Sequence, residues 1–182
     1  MTEHLRENFN TSRLSVRMRE ALRDRDLAAL LALVKQGADV NQADYGDNTA
    51  LILGVIKGDA ALTQLLIDKG ADLEKRNTNG HTPLMMAVFN NKPNAVRLLL
   101  DAGVDLDKKA EGSMGRNGTA LSFAESGKFS VIAQMLREEA ETRRARLTEA
   151  TLKAEKARRD ALNAKKLFFK QQAAKRKVAI KS

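Results

Sequence analysis

Apolar residues along this chain gather in short bursts at helical spacing, separated by polar turns rich in glycine, asparagine and aspartate. Leu14, Met18 and Leu22 form the first burst, and Leu27, Leu30, Leu31 and Val34 the second. Later bursts open at Thr49-Ala50-Leu51, Thr82-Pro83-Leu84 and Thr119-Ala120-Leu121, and others close on Leu65-Leu66, Leu98-Leu99 and Met135-Leu136. Apolar positions three and four apart lie on one face of a helix, so each burst predicts an amphipathic helix. A second marker runs in phase: Gly37-Ala38-Asp39-Val40, Gly70-Ala71-Asp72-Leu73 and Gly103-Val104-Asp105-Leu106 recur every 33 residues. A unit of this length cannot bury its apolar face alone, so successive units must stack.

The physical chemistry of the landmarks agrees with that reading. Each Thr is placed to cap a helix by accepting a hydrogen bond from a free backbone N–H of the first turn, and Pro83 sits where its missing N–H costs nothing. Gly37, Gly70 and Gly103 fall where a helix must stop in a left-handed conformation that other residues adopt only with strain. The run Asn79-Gly80-His81-Thr82-Pro83-Leu84, continued by Ala87, Val96, Leu98-Leu99 and Gly103-Val104-Asp105, resembles the ankyrin repeat family. The resemblance covers about four repeats from Val16 to Ala140. One feature departs from it: Ile52, Met85 and Ser122 stand where the family's His follows Thr-Pro-Leu, so the usual Thr to His bonding between units is not expected.

The resemblance implies an all-α fold, an ankyrin-repeat solenoid of helix-turn-helix units with β-turn fingers, followed by a long C-terminal α-helix. Residues 1–140 are expected to form the repeat domain, with a worn N-terminal cap unit at about 12–43 and units at about 44–76, 77–109 and 110–140. Residues 141–182 are expected to be a basic, Ala/Lys/Arg-rich helical tail continuous with the last repeat helix. The stop signal disappears at that junction, because Ala140 stands where the next glycine would fall and Gly127 is the last Gly or Pro. The spacing predicts one helix from near Ser130 to near Lys177, roughly 70 Å at 1.5 Å per residue. Glu139 with Arg143, Glu149 with Lys153 and Glu155 with Arg159 each add about 0.3 kcal/mol as i,i+4 pairs.

In the ankyrin family the turn tips and the inner-helix surface line one concave face that carries partner specificity. By resemblance the matching turn residues are Tyr45, Gly46, Asp47 and Asn48, then Thr78, Asn79 and His81, then Arg116 and Asn117. The matching inner-helix residues are Ile56, Lys57, Phe89, Asn90 and Ser126. Tyr45 and Phe89 stand out as aromatic groups at positions expected to face solvent, where such rings act as interface anchors. The alternative for Phe89 is that it covers a neighbouring helix. The resemblance thus implies a non-catalytic module that binds another protein.

The last turn is longer, since Thr82 and Thr119 are 37 residues apart where Thr49 and Thr82 are 33. The extra residues fall in Glu111-Gly112-Ser113-Met114-Gly115-Arg116-Asn117-Gly118. Its glycines do not match a phosphate cradle, because no Lys-Ser/Thr follows and no parallel strand is expected before it, so a longer finger is the better reading.

Charge changes the picture at the C-terminus. Residues 1–136 hold 17 basic and 17 acidic side chains, whereas residues 137–182 hold 15 and 6, so the formal excess of nine lies in the tail. Lys165, Lys166, Phe168, Phe169, Lys170, Lys175, Arg176 and Lys177 could neutralise phosphates and stack bases. Nucleic acid or another acidic surface is therefore the alternative partner, with the repeats as scaffold or specificity element. An anionic membrane and a two-part nuclear import signal are weaker readings of the same run, and a solvated basic terminus is the plainest. Leu136, Ala140, Arg143, Leu147, Ala150, Ala154, Ala157, Ala161, Ala164 and Phe168 also trace a heptad seam. Its alanines favour a solvated single helix over a weak homodimer.

The remaining composition excludes more than it suggests. With no cysteine, neither disulfides nor thiolate metal sites are available, and only His4 and His81 could serve as imidazole bases. Asp39, Asp72 and Asp105 recur because the turn needs them, so none is a unique catalytic acid, and neither catalysis, a cofactor nor a metal is expected. No leader-like or spanning apolar run is visible, and a cytoplasmic location is expected. At the other end Arg6, Arg13, Arg17, Arg19, Arg23 and Arg25 fit the polar outer face that a terminal repeat requires, with an acidic partner as the sharper alternative.

Overall fold

The computed structural model describes residues 3–111 and 118–179, with side chains for 13–111, 118–162 and 165. Eight helices and no strands occur among the described residues: α1 Glu3–Asp24, α2 Leu27–Lys35, α3 Ala50–Lys57, α4 Ala60–Asp68, α5 Pro83–Phe89, α6 Pro93–Asp101, α7 Ala120–Ser126 and α8 Ser130–Ala179. The chain divides into two compact units, Met1–Glu138 and Glu139–Ser182.

In the first unit the sequence landmarks become helix ends. Thr49, Thr82 and Thr119 cap α3, α5 and α7, each Oγ1 accepting from the backbone N–H three residues on at 3.3, 3.4 and 3.4 Å. Gly37, Gly70 and Gly103 have φ of 89°, 77° and 85°, the left-handed stop expected of them. The backbone N–H of Ala38, Ala71 and Val104 then reaches back to the carbonyls of Leu33, Leu66 and Leu99, closing the outer helices α2, α4 and α6. Nothing lies within 4 Å of a methyl group built on Gly70, so Gly70→Ala tests conformation alone. Urea denaturation is expected to show a loss of about 1 kcal/mol.

A second left-handed position lies between the two helices of every unit. Arg25, Gly58, Asn91 and Lys128 have φ of 53°, 75°, 50° and 58° and occupy the same place in four successive units. After each, the N–H of Asp26, Asp59, Lys92 and Phe129 returns to the carbonyls of Ala21, Gly54, Ala87 and Ala124 at 2.9–3.0 Å. This forces a two-residue turn, and Asp26 and Asp59 then cap α2 and α4 through Ala29 N and Leu62 N.

Helices α3, α5 and α7 pack side by side as an inner row, and α2, α4 and α6 as an outer row. One continuous core runs between the rows. Leu30, Leu51, Leu62, Leu66, Leu99 and Ile132 are fully buried in it, joined at the N-terminal end by Met18 and Leu22 of α1. Arg13, Arg17, Arg19, Arg23 and Arg25 are exposed, as a terminal unit requires.

The long final helix ends two residues beyond the expected Lys177. Within the second unit Arg143 Nε donates to Glu139 Oε1 at 2.7 Å, the first of the expected i,i+4 pairs. From Arg144 to Leu162 every side chain is exposed, including Leu147 at 67%. Removal of residues 139–182 is accordingly expected to leave the Tm of the repeats within a few degrees of the intact chain, read by circular dichroism.

Candidate protein-binding surface

The first finger is built on one carboxylate. Asp44 Oδ1 accepts from Gly46 N and Asn48 N, both at 2.8 Å, and from the Asn48 amide at 3.1 Å. The Asp44 N–H donates to the Asn48 carbonyl at 3.0 Å, and Ala43 forms an antiparallel bridge with Thr49. Asp47 takes φ of 55° to close the turn, so this predicted contact residue also has a structural task. Between these fixed points Tyr45 is 99% exposed. The ring is held by a stiff backbone yet touches almost nothing.

The second finger repeats the device with an amide. Asn77, buried, accepts at Oδ1 from Asn79 N and His81 N, both at 3.1 Å, while Gly80 supplies the positive φ. Neighbouring fingers are tied together: Thr78 N donates to the Gly46 carbonyl at 2.9 Å, Asn77 Nδ2 to Asn48 Oδ1 at 3.3 Å, and Glu111 N to the Gly80 carbonyl at 3.2 Å. The Thr78 and Asn79 side chains remain exposed. Arg116 and Asn117 lie outside the described residues.

On the inner helices Lys57 and Ser126 are exposed and Ile56 is half-buried. The Ser126 hydroxyl donates to the Ser122 carbonyl, and the Asn90 amide to the Met86 carbonyl, both at 2.8 Å. Phe89 does not face solvent as expected. It is half-buried against the core, its ring centroid 4.6 Å from Phe123 and 4.9 Å from His81, so it bridges two units rather than standing free. The expectation of a solvent-facing ring failed because the pattern could not reveal that Phe123, one unit further on, turns its ring toward it.

A further set of contacts carried no family marker. Asp39, Asp72 and Asp105 each accept from the N–H two residues on, at 2.9 Å. The side chains at those positions then reach the next unit, Asn41 Oδ1 accepting from Asp72 N at 2.7 Å and Glu74 Oε1 from Asp105 N at 2.8 Å. The readable signal is a polar acceptor two places after each recurring Asp, in Asp39-Val40-Asn41 and Asp72-Leu73-Glu74.

These paired helices, finger bonds and left-handed stops have a counterpart among known proteins: the family model for ankyrin repeats, in three copies, matches residues 18–110. The chain belongs to the ankyrin repeat family. The match ends at the last finger, so the fourth expected unit, 110–140, and the long helix lie beyond it. No curated protein matches the chain. Ankyrin repeat proteins act in general as protein–protein interaction modules and are generally non-enzymatic.

One groove of this ankyrin repeat unit involves none of the family's markers. Val16, Arg19, Glu20 and Arg23 of α1 face Ala43, Asp44 and Tyr45 of the first finger across a groove of about 420 Å³. Arg23 donates from Nε to Asp24 Oδ1 at 2.8 Å, and this bond holds the Asp24 carboxyl below the usual carboxylate range. In the second unit Lys165 is exposed, and the side chains of Lys166, Phe168, Phe169, Lys170, Lys175, Arg176 and Lys177 lie outside the described residues. Among the described residues no helix is long and apolar enough to cross a membrane.

Proposed function

We propose that this ankyrin repeat protein recognises a partner protein through its fingers and inner helices, with Tyr45 as the principal anchor. Tyr45, Asp47, Asn48, Thr78, Asn79 and His81 form the finger part of the surface, continued by Arg116 and Asn117. Ile56, Lys57, Asn90 and Ser126 form the inner-helix part, and Phe89 shapes it from below. The observation that carries the reading is a ring 99% exposed on a backbone pinned by Asp44. An aromatic side chain immobilised before binding loses little conformational entropy on contact, which is how interface hot spots concentrate affinity. The experiment is a nuclease-treated pull-down from the source lysate with the full chain and residues 1–138 side by side. Retention of one protein by both forms is the expected result, and loss of every protein with the tail contradicts it.

A second reading is supported by charge. The excess of nine positive charges belongs to residues 137–182, and the described side chains from Arg144 to Leu162 are all exposed. Such a helix suits nucleic acid or another polyanion, with affinity that falls steeply as salt rises. A gel-shift titration at 50 and 200 mM salt is expected to show at least a tenfold weakening if the tail is the functional part.

A further inference from the structure

The groove between α1 and the first finger has walls of two kinds. Its apolar part is Val16, 48% exposed although it sits one turn from the buried Met18, together with Ala43 and the Tyr45 ring. Its charged part is dominated by α1, where Arg13, Arg17, Arg19, Arg23 and Arg25 outnumber Glu20 and Asp24.

The carboxylates around the groove are already occupied. Asp44 spends its Oδ1 on two backbone N–H groups and the Asn48 amide. Asp24 is bonded to Arg23, and Glu20 adds its field to the same guanidinium, so the proton affinity of Arg23 is raised chiefly by Asp24 and further by Glu20. Arg19 lines the groove with no ion-pair partner among the described residues. A polar cap explains arginines on a terminal unit, but it does not explain an exposed valine and tyrosine set among them. A volume of about 420 Å³ is within the range of specific ligand pockets.

We propose that this groove binds an acidic peptide segment of a partner protein, with one apolar side chain of the peptide seated against Val16 and Tyr45 and a neighbouring carboxylate on Arg19. The inference rests on the reading of Tyr45 as a contact and names the chemistry it contacts. A guanidinium offers a carboxylate two parallel N–H bonds, while the valine and the phenol ring exclude water from the adjacent side chain.

The test is amide NMR of the full-length protein titrated with a blocked pentapeptide of four glutamates around a central leucine. Shifts are expected to cluster at residues 16–23 and 43–47. Arg19→Gln is expected to weaken binding there about tenfold or more, since a charge-assisted bond contributes about 1.5–3 kcal/mol. Arg19→Glu should abolish it, with the rest of either spectrum reporting that the fold is kept. Replacing the central leucine by alanine should weaken binding several-fold, and a matching lysine peptide should leave these amides unmoved. Shifts confined to residues 137–182, equal shifts with the lysine peptide, or an unchanged affinity in Arg19→Gln would overturn the proposal. If the peptide leaves the groove untouched while a cross-linker at Tyr45 still captures a protein, this inference fails and the anchor reading stands; binding of the peptide without capture reverses the two.

Discussion

Leu66→Ala is expected to remove about 2–5 kcal/mol of unfolding free energy, the largest effect of any single truncation considered for this chain. Leu66 is fully buried in α4, and α4 packs on α2, α3 and α6, so the cavity opens where three neighbours meet. A solenoid has no thick centre to absorb such a loss, and its stability is close to a sum of unit and interface terms. The defect weakens a unit and its contacts on both sides at once. Against a total of about 5–15 kcal/mol for ordinary domains, this can unfold much of the array. Leu147→Ala provides the contrast: the same change at a residue 67% exposed on α8 should fall within about 0.5 kcal/mol. Urea titrations followed by circular dichroism measure both, and comparable losses in the two variants would contradict the burial assignment.

Tyr45→Ala is expected to weaken partner binding by about 30-fold or more while leaving the Tm unchanged, because a hot-spot ring contributes about 2 kcal/mol or more to an interface. The ring is 99% exposed and the finger is held by Asp44, so the folded protein loses no contact of consequence. Phe89→Ala is expected to behave in the opposite way. Its ring packs on Phe123 and His81, and its removal should destabilise the repeats by about 1–3 kcal/mol through lost packing between units. Calorimetric titration of the purified partner, alongside thermal melts of both variants, separates the two roles. A Tyr45→Ala protein with a lowered Tm would show that the ring is structural.

The repeat architecture was legible because stacking repeats the same demands on the same positions. Thr49, Thr82 and Thr119 had to cap helices and Gly37, Gly70 and Gly103 had to stop them, so identity at fixed spacing was enough. The turn between paired helices makes an equal demand at Arg25, Gly58, Asn91 and Lys128, yet only one of these is glycine. Four different side chains tolerate one strained conformation, and no marker survives in the letters. The long helix was legible through a missing signal, the absence of any Gly or Pro after Gly127.

The surface was less legible. The stiffness of the first finger depends on three bonds to one oxygen of Asp44, and an Asp before Tyr45 does not announce that geometry. Phe89 belonged to a position that faces solvent in a single unit, but its environment is set by Phe123 in the next one. The groove joins residues 16–23 to residues 43–45, elements with no shared period, so no repeat pattern could bring them together.

The measurement that tests the central claim most directly is site-specific photo-cross-linking, with a benzophenone amino acid replacing Tyr45 in one sample of the full-length protein and Lys165 in another. Both positions are exposed, so neither replacement disturbs the core. The account predicts one dominant protein adduct from position 45, identified by mass spectrometry and lost on competition with unlabelled protein. Adducts formed from position 165 alone, and only with nucleic acid or scattered proteins, would contradict it.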